Sequence, residues 1–335
     1  MGICGLGLSW RVAAQVLGAP HAIGEALIAL AAALFVVLGT IYVLKLFNAP
    51  DAVAAEFRNP TTSSQFGSLT IALLLLAVGI LPYAPRSALA IWSAGAAGQC
   101  LLFLTLLDRW ISEPTELGNA TPSWLIPIVG NVTATFAGVP LGFPEISWFL
   151  FAVGLVFWLT FLPLLLNRLI FHHEPLPGRS APTLALLVAS PAVICLAWLQ
   201  LTGRVDETYR IILFVALFFV LLVLRLWRLA AHSPISVTWW TYTFPSAALA
   251  TAVVRYRQQV LGPGPAVLAW GALGMASVVV ATVTVASLGS LLATRRPALR
   301  VRQVDELTTT PGGGGVLPRR PHKRYAEKST PESDR

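Results

Sequence analysis

Phe149-Leu-Phe-Ala-Val-Gly-Leu-Val-Phe-Trp158 contains no charge and almost nothing small, and it lies in an apolar segment, 146–171, long enough to cross a hydrocarbon layer of about 30 Å as a helix. The segment before it, 123–140, is of another kind: it holds Gly130, Asn131, Thr133, Thr135 and Gly138. Greasy bulk suits contact with lipid, whereas small and weakly polar residues suit close helix packing or a wet cavity. The contrast between the two decides the fold, because it repeats.

Hydropathy and breaker residues divide the chain into ten segments, 2–17, 21–47, 67–83, 88–110, 123–140, 146–171, 182–202, 208–231, 236–257 and 264–294. The even ones are bulky, as in Leu27–Leu46 and Ile211–Leu224, although the tenth is an exception with Ser277, Thr282, Thr284 and Ser287. The odd ones carry Gly5, Gly7 and Ser9, then Ser63, Ser64 and Thr70, then the 123–140 set, then Ser190, and finally Thr241, Thr243, Ser246 and Thr251. This predicts an all-α integral membrane protein of ten transmembrane helices arranged as five helical hairpins. Five inner helices form a central pore, and five outer helices face lipid.

Composition agrees, since 56% of the 335 residues are hydrophobic and only 11% charged, against about a quarter charged in soluble domains. Residues 1–294 read as one transmembrane domain, with a first helix that looks shortened at its start and no signal peptide. Ten of the 23 basic residues lie beyond Thr294, so the net charge of +8 marks a tail rather than a nucleic-acid surface. That tail, 295–335, is basic and rich in Gly and Pro, and it is expected to be disordered. An even number of spans and the basic tail place both termini in the cytoplasm of a multi-pass protein of the plasma (inner) membrane.

Three prolines fall in odd segments, Pro127, Pro191 and Pro245, and each is expected to kink an inner helix by freeing the carbonyl four residues earlier. No inner segment is read as carrying an acid, a histidine or a base near its middle, which favours passive flow over coupled transport. His172, His173 and Glu174 read as a solvated, proline-flanked loop rather than a metal site. Cys4, Cys100 and Cys195 are isolated. No catalytic constellation, metal site or cofactor is expected.

On the ninth segment, helical spacing aligns Thr241, Phe244, Ala248, Thr251 and Ala252, and only Phe244 is bulky. A lone ring in a stripe of small residues can close a passage, and ordinary packing is the competing reading of the pattern alone. Gly5, Thr133, Ser190, Thr241, Ala248 and Thr251 are the pore-lining candidates, and Arg58, Arg255 and Arg257 are the basic residues expected at its mouths.

Val237-Thr-Trp-Trp-Thr-Tyr-Thr-Phe-Pro245 resembles the ninth-helix motif of the tellurite-resistance and dicarboxylate transporter family, which includes bacterial tellurite-resistance permeases and the slow-type anion channels of plant guard cells. Gly5-Leu-Gly-Leu-Ser-Trp-Arg11, Trp124-Leu-Ile-Pro-Ile-Val-Gly-Asn131, Glu145-Ile-Ser-Trp-Phe-Leu-Phe-Ala-Val-Gly154 and Pro182-Thr-Leu-Ala-Leu-Leu-Val-Ala-Ser-Pro191 are similar in the same order. Phe57-Arg-Asn-Pro60 departs from the usual Phe-Arg-His-Pro. The resemblance implies a homotrimer in which each protomer holds a pore of five inner helices, occluded by a phenylalanine matching Phe244. It implies passive passage of small inorganic or organic anions. The alternative is a secondary exporter of dicarboxylate, sulfite or tellurite oxyanions.

Overall fold

The computed structural model describes residues 1–294 apart from 61, 114–115, 172–175, 177 and 229–235. The His172–Glu174 cluster and the tail therefore lie outside the described residues. Within them the chain is helical and has no strand: α1 (Gly2–Leu17), α2 (His21–Asn48), α3 (Pro50–Arg58), α4 (Gly67–Ile80), α5 (Pro85–Ser112), α6 (Leu125–Thr133), α7 (Thr135–Gly138), α8 (Pro144–Phe171), α9 (Leu186–Thr202), α10 (Glu207–Arg225), α11 (Thr243–Gln259) and α12 (Pro263–Thr294).

Among the described residues seven stretches are long and apolar enough to cross a membrane, centred on α2, α4, α5, α8, α9, α10 and α12. The other three expected spans fall short for identifiable reasons. Helix α1 is apolar but has only 16 residues, and the 123–140 segment is broken at Ala134 between α6 and α7. Helix α11 has 17 residues, and Thr243, Ser246, Thr251, Arg255, Arg257, Gln258 and Gln259 among them dilute its apolar character. All three are small, polar or interrupted segments, the composition of a helix that faces protein or water rather than lipid.

Helix α1 packs on α11, α11 on α9, α9 on α6, α6 on α4, and α4 back on α1, so these five close on themselves. Around them α2 packs on α1, α5 on α4, α8 on α6 and α10 on α9. Burial follows the same division. In the most apolar window of each helix, 78% of the residues around α9 are buried but only 6% of those in α2. Side chains such as Val37 of α2, Phe149 of α8 and Phe218 of α10 point outward.

Lipid is as apolar as leucine, so helices associate there through close packing and internal hydrogen bonds. Gly7 and Gly24 show this at the α1–α2 crossing, where a Cβ on Gly24 would lie 2.8 Å from the Arg11 amide nitrogen and 2.9 Å from the Gly7 carbonyl oxygen. The breaks in the ring are satisfied by the outer layer. The Trp92 indole of α5 donates to the Ala134 carbonyl at 2.8 Å, and Gln99, also on α5, donates to the Pro127 carbonyl at 2.6 Å. Without such partners, irregular backbone at membrane depth would be costly.

Helices α4, α6, α9 and α11 share a further feature. Each is led in by a 3₁₀ turn, at Ser63–Phe66, Pro122–Trp124, Gly178–Ala185 and Val237–Tyr242, and these turns touch one another in that order. At the opposite end α1 and α9 stop at Gly18 and Gly203, whose φ values of 70° and 72° are left-handed conformations that a side chain would resist.

Candidate functional site

A cavity of about 250 Å³ opens where α1, α4, α9 and α11 finish, and its wall includes Gly5, Phe244, Ala248, Thr251 and Arg255. Five of the residues singled out from sequence are thus brought together. Gly5 faces the aromatic ring directly: a Cβ there would lie 3.6 Å from Cδ2 of Phe244 and 3.3 Å from Cβ of Ala247. The absent side chain of Gly5 is what lets α1 pass beside the ring. Phe244 is itself 3% exposed, so the ring is held against its neighbours while it lines the cavity.

Ser9 joins α1 to α11 at this level. Its hydroxyl lies 2.8 Å from the Ala247 carbonyl oxygen and 2.7 Å from the Thr251 hydroxyl, which itself donates to Ala247 at 3.0 Å. The Thr251 oxygen is therefore committed to the helix contact.

The remaining expected residues lie elsewhere. Thr133, Ser190 and Thr241 turn their hydroxyls back on their own helices, donating to the carbonyls of Val129, Leu186 and Thr238, and none lines this cavity. Arg257 stands close to the cavity along α11 without lining it. Arg58 is exposed at the end of α3, where its carbonyl accepts from Arg109 at 2.9 Å. The prolines differ among themselves. Pro127 and Pro245 are each the third residue of an α-helix, where the N–H has no intrahelical partner to lose, and the backbone changes from 3₁₀ to α beside them. Only Pro191, sixth in α9, interrupts an α-helical ladder.

Among the wall residues outside the expected set, two change the reading of the site. Phe136 of α7 is a second ring on the cavity, so Phe244 is not the one aromatic there. Its signal was available, a lone aromatic among Thr133, Thr135 and Gly138. Arg11 is the other, and it corrects the expectation that inner segments lack a base near their middle: it is the tenth residue of α1 and is largely buried. Its guanidinium forms a two-pronged pair with Glu25 of α2, Nε to Oε1 at 2.7 Å and Nη2 to Oε2 at 2.6 Å, and Nη2 also donates to Gly79 at 3.0 Å. Tyr83 donates to the same carboxylate at 2.8 Å, a bond that holds its phenol above the usual range. Glu25 thereby offsets the charge of Arg11.

Arg255 has no such partner. Among the described residues it makes no ion pair, and its one side-chain hydrogen bond runs from Nη1 to Oε1 of Gln258 at 3.0 Å. It also lines a second cavity, of about 330 Å³, with Gln200, Gln258 and Gln259. No carboxylate lines either space. The site is thus a polar vestibule with one unneutralised cation above an apolar level that carries two aromatic rings. Nothing in it resembles a nucleophile with its base, and no group of three or more metal-ligating side chains occurs among the described residues.

A closed set of small-residue helices inside a greasy layer, with a cationic vestibule, defines a multi-pass membrane protein of the transport class. The profile of the SLAC1 family, described as voltage-dependent anion channel, matches residues 1–291, and the chain belongs to that family. It is 32% identical over 247 residues to the S-type anion channel SLAH2 of Arabidopsis thaliana, covering 72% of this chain and 47% of the relative. It is 29% identical over 228 residues to the guard cell S-type anion channel SLAC1 of the same plant, covering 66% and 41%. It is 26% identical over 264 residues to the tellurite resistance protein TehA homolog of Haemophilus influenzae, covering 76% and 78%. The matched part is about half the length of the plant relatives.

Proposed function

We propose that the protein passes small anions passively through a pore in each protomer of a homotrimer, and that Phe244 closes the pore. In this reading the ten helices form five hairpins, with α1, α4, α6–α7, α9 and α11 as the inner ring, in the plasma (inner) membrane with both termini cytoplasmic. The observation that carries it is the cavity wall at Phe244, a ring beside Gly5 and Ala248 at the base of a vestibule free of carboxylates. Rotation of the ring, or its removal, would extend that vestibule along the axis of the helices. Arg255 and the absence of acids favour anions by electrostatics alone.

Coupled export of a dicarboxylate, sulfite or tellurite is the second reading, and the Arg11–Glu25 pair at the cavity is the observation that favours it. Ionisable pairs at membrane depth are common in coupled carriers. Reconstituted protein under an imposed potential, with no proton or sodium gradient, separates the two. Channel behaviour gives steady chloride or nitrate current, whereas a coupled carrier gives none until a gradient is applied.

A further inference from the structure

We propose that the Ser9 hydroxyl is a latch that holds α1 against α11 and so keeps the Phe244 ring in the passage, which makes Ser9 a positioning residue for the gate. The proposal rests on reading Phe244 as that gate and names what keeps it shut.

The two helices meet along small residues, one contact per turn. A Cβ on Gly2 would overlap the Thr243 side chain, and one on Gly5 would lie 3.3 Å from Cβ of Ala247 and 3.6 Å from Cδ2 of Phe244. One turn further, fully buried Ser9 meets the Ala247 carbonyl at 2.8 Å and the Thr251 hydroxyl at 2.7 Å. Toward α1 the ring has no room while the helices touch. In lipid, helices are held together by such close packing and by interhelical hydrogen bonds, and only the bonds are directional. Sliding or parting α1 and α11 breaks them.

The hydroxyls have a second arrangement within reach. Ser9 Oγ also lies 2.9 Å from the Gly5 carbonyl oxygen, and Thr251 Oγ1 lies 3.0 Å from the Ala247 carbonyl oxygen, each acceptor four residues back on the hydroxyl's own helix. A hydroxyl has one proton to give. With the helices joined, Ser9 donates to Ala247 and accepts from Thr251; with them parted, each hydroxyl turns its proton to its own helix. Neither state leaves a buried hydroxyl unpaired, so the latch opens without the penalty of an orphaned polar group. What is lost is the net value of an interhelical bond, which shifts the balance between the states about threefold to tenfold.

The test has two readouts, current in planar bilayers and the rate at which a small methanethiosulfonate modifies the native Cys4 in detergent. Cys4 is buried on the α1 stripe Cys4, Leu8, Arg11 and Gln15, whose last three members line the cavity, so parting the helices extends the cavity to it. Cys4→Ser supplies the background from Cys100 and Cys195. Ser9→Ala should raise the current severalfold, though less than Phe244→Ala does, and should speed Cys4 modification severalfold. Its melting temperature should change little, because Thr251 still donates to Ala247. Thr251→Val should raise both readouts, and Thr251→Ser, which keeps the hydroxyl, should raise them far less; this pair decides alone should Ser9→Ala not fold. Wild-type current and Cys4 rate in Ser9→Ala overturn the latch. A Thr251→Ser protein that matches Thr251→Val overturns it too, since the methyl rather than the hydroxyl would then hold the helices. If Phe244→Ala adds no current while Ser9→Ala still speeds Cys4 modification, the latch stands and the gate falls.

Discussion

Where α4, α6, α9 and α11 begin, four 3₁₀ turns touch one another and serine and threonine hydroxyls cluster in them; where α1, α4, α9 and α11 finish, a vestibule opens that carries Arg11 and Arg255. Helix starts present N–H groups and a partial positive charge, so the first end needs no cation to be tolerable for an anion. Helix finishes present carbonyls, and there the protein places two arginines, of which Glu25 leaves one effective. Under the proposed function the difference separates two tasks: backbone dipoles would set a weak preference at one mouth, a side chain would restore it at the other, and the apolar level between them, with Phe244 and Gly5, would set whether anything passes.

The largest way to disturb this comparison is to remove the carboxylate that offsets Arg11. Glu25→Gln should cost about 2–3 kcal/mol of stability, below the roughly 3–5 expected for a fully buried pair because the Glu25 side chain is 24% exposed. If the pore can be opened, the same change should raise anion current, since the vestibule then carries two uncompensated cations. A stable Glu25→Gln protein with unaltered current would mean that Arg11 does not face the passage electrically.

A smaller effect is expected at the apolar level. Gly5→Ala puts a methyl within 3.6 Å of the Phe244 ring and 3.3 Å of Ala247. It should change stability by less than about 1.5 kcal/mol, since the contacts are tight but not clashing. It should also lower the current of the Phe244→Ala variant by putting a methyl group into the space the ring leaves, and single-channel recording of Phe244→Ala with and without Gly5→Ala checks this.

The smallest lies at the connection between α9 and α10. Asp206 caps α10 by accepting from the Tyr209 amide at 3.0 Å and holds the end of α9 through Trp198 at 2.9 Å. Those bonds, the Tyr209 amide first, keep its carboxyl below the usual range. A lowered carboxyl stabilises the fold above its unfolded-state pKa and loses that contribution as pH falls through the folded value. Asp206→Ala should therefore cost about 1 kcal/mol at pH 7, and the gap between variant and wild type should close below about pH 4. A gap that persists in acid would show that the carboxylate is not the source of the effect.

Much of the fold was legible because the lipid side and the inner side of such a protein are made of different residues. The Phe149–Trp158 run and the Thr133–Gly138 stretch needed no partner to be told apart, segment 2–17 coincides with α1, and segment 182–202 finishes where α9 does. The 3₁₀ lead-ins were not legible, because a proline near the middle of an apolar segment looks the same whether it bends a helix or starts one. Phe244, Ala248 and Thr251 stand out because they share one face of one helix. Arg11 is not singled out in the sequence because its meaning depends on Glu25, fourteen residues away on the next helix, and on the Gly79 carbonyl, which no sequence spacing reveals.

Phe244→Ala, compared with Phe244→Leu and the wild type in planar bilayers and in thermal unfolding, tests the central claim most directly. If the ring closes a passage, the alanine variant conducts chloride or nitrate severalfold better than wild type, the leucine variant falls between, and stability changes little because the ring lines the cavity. If the ring is simply core, as its 3% exposure alone would allow, the alanine variant loses about 3–5 kcal/mol and carries no added current, and the gate is wrong.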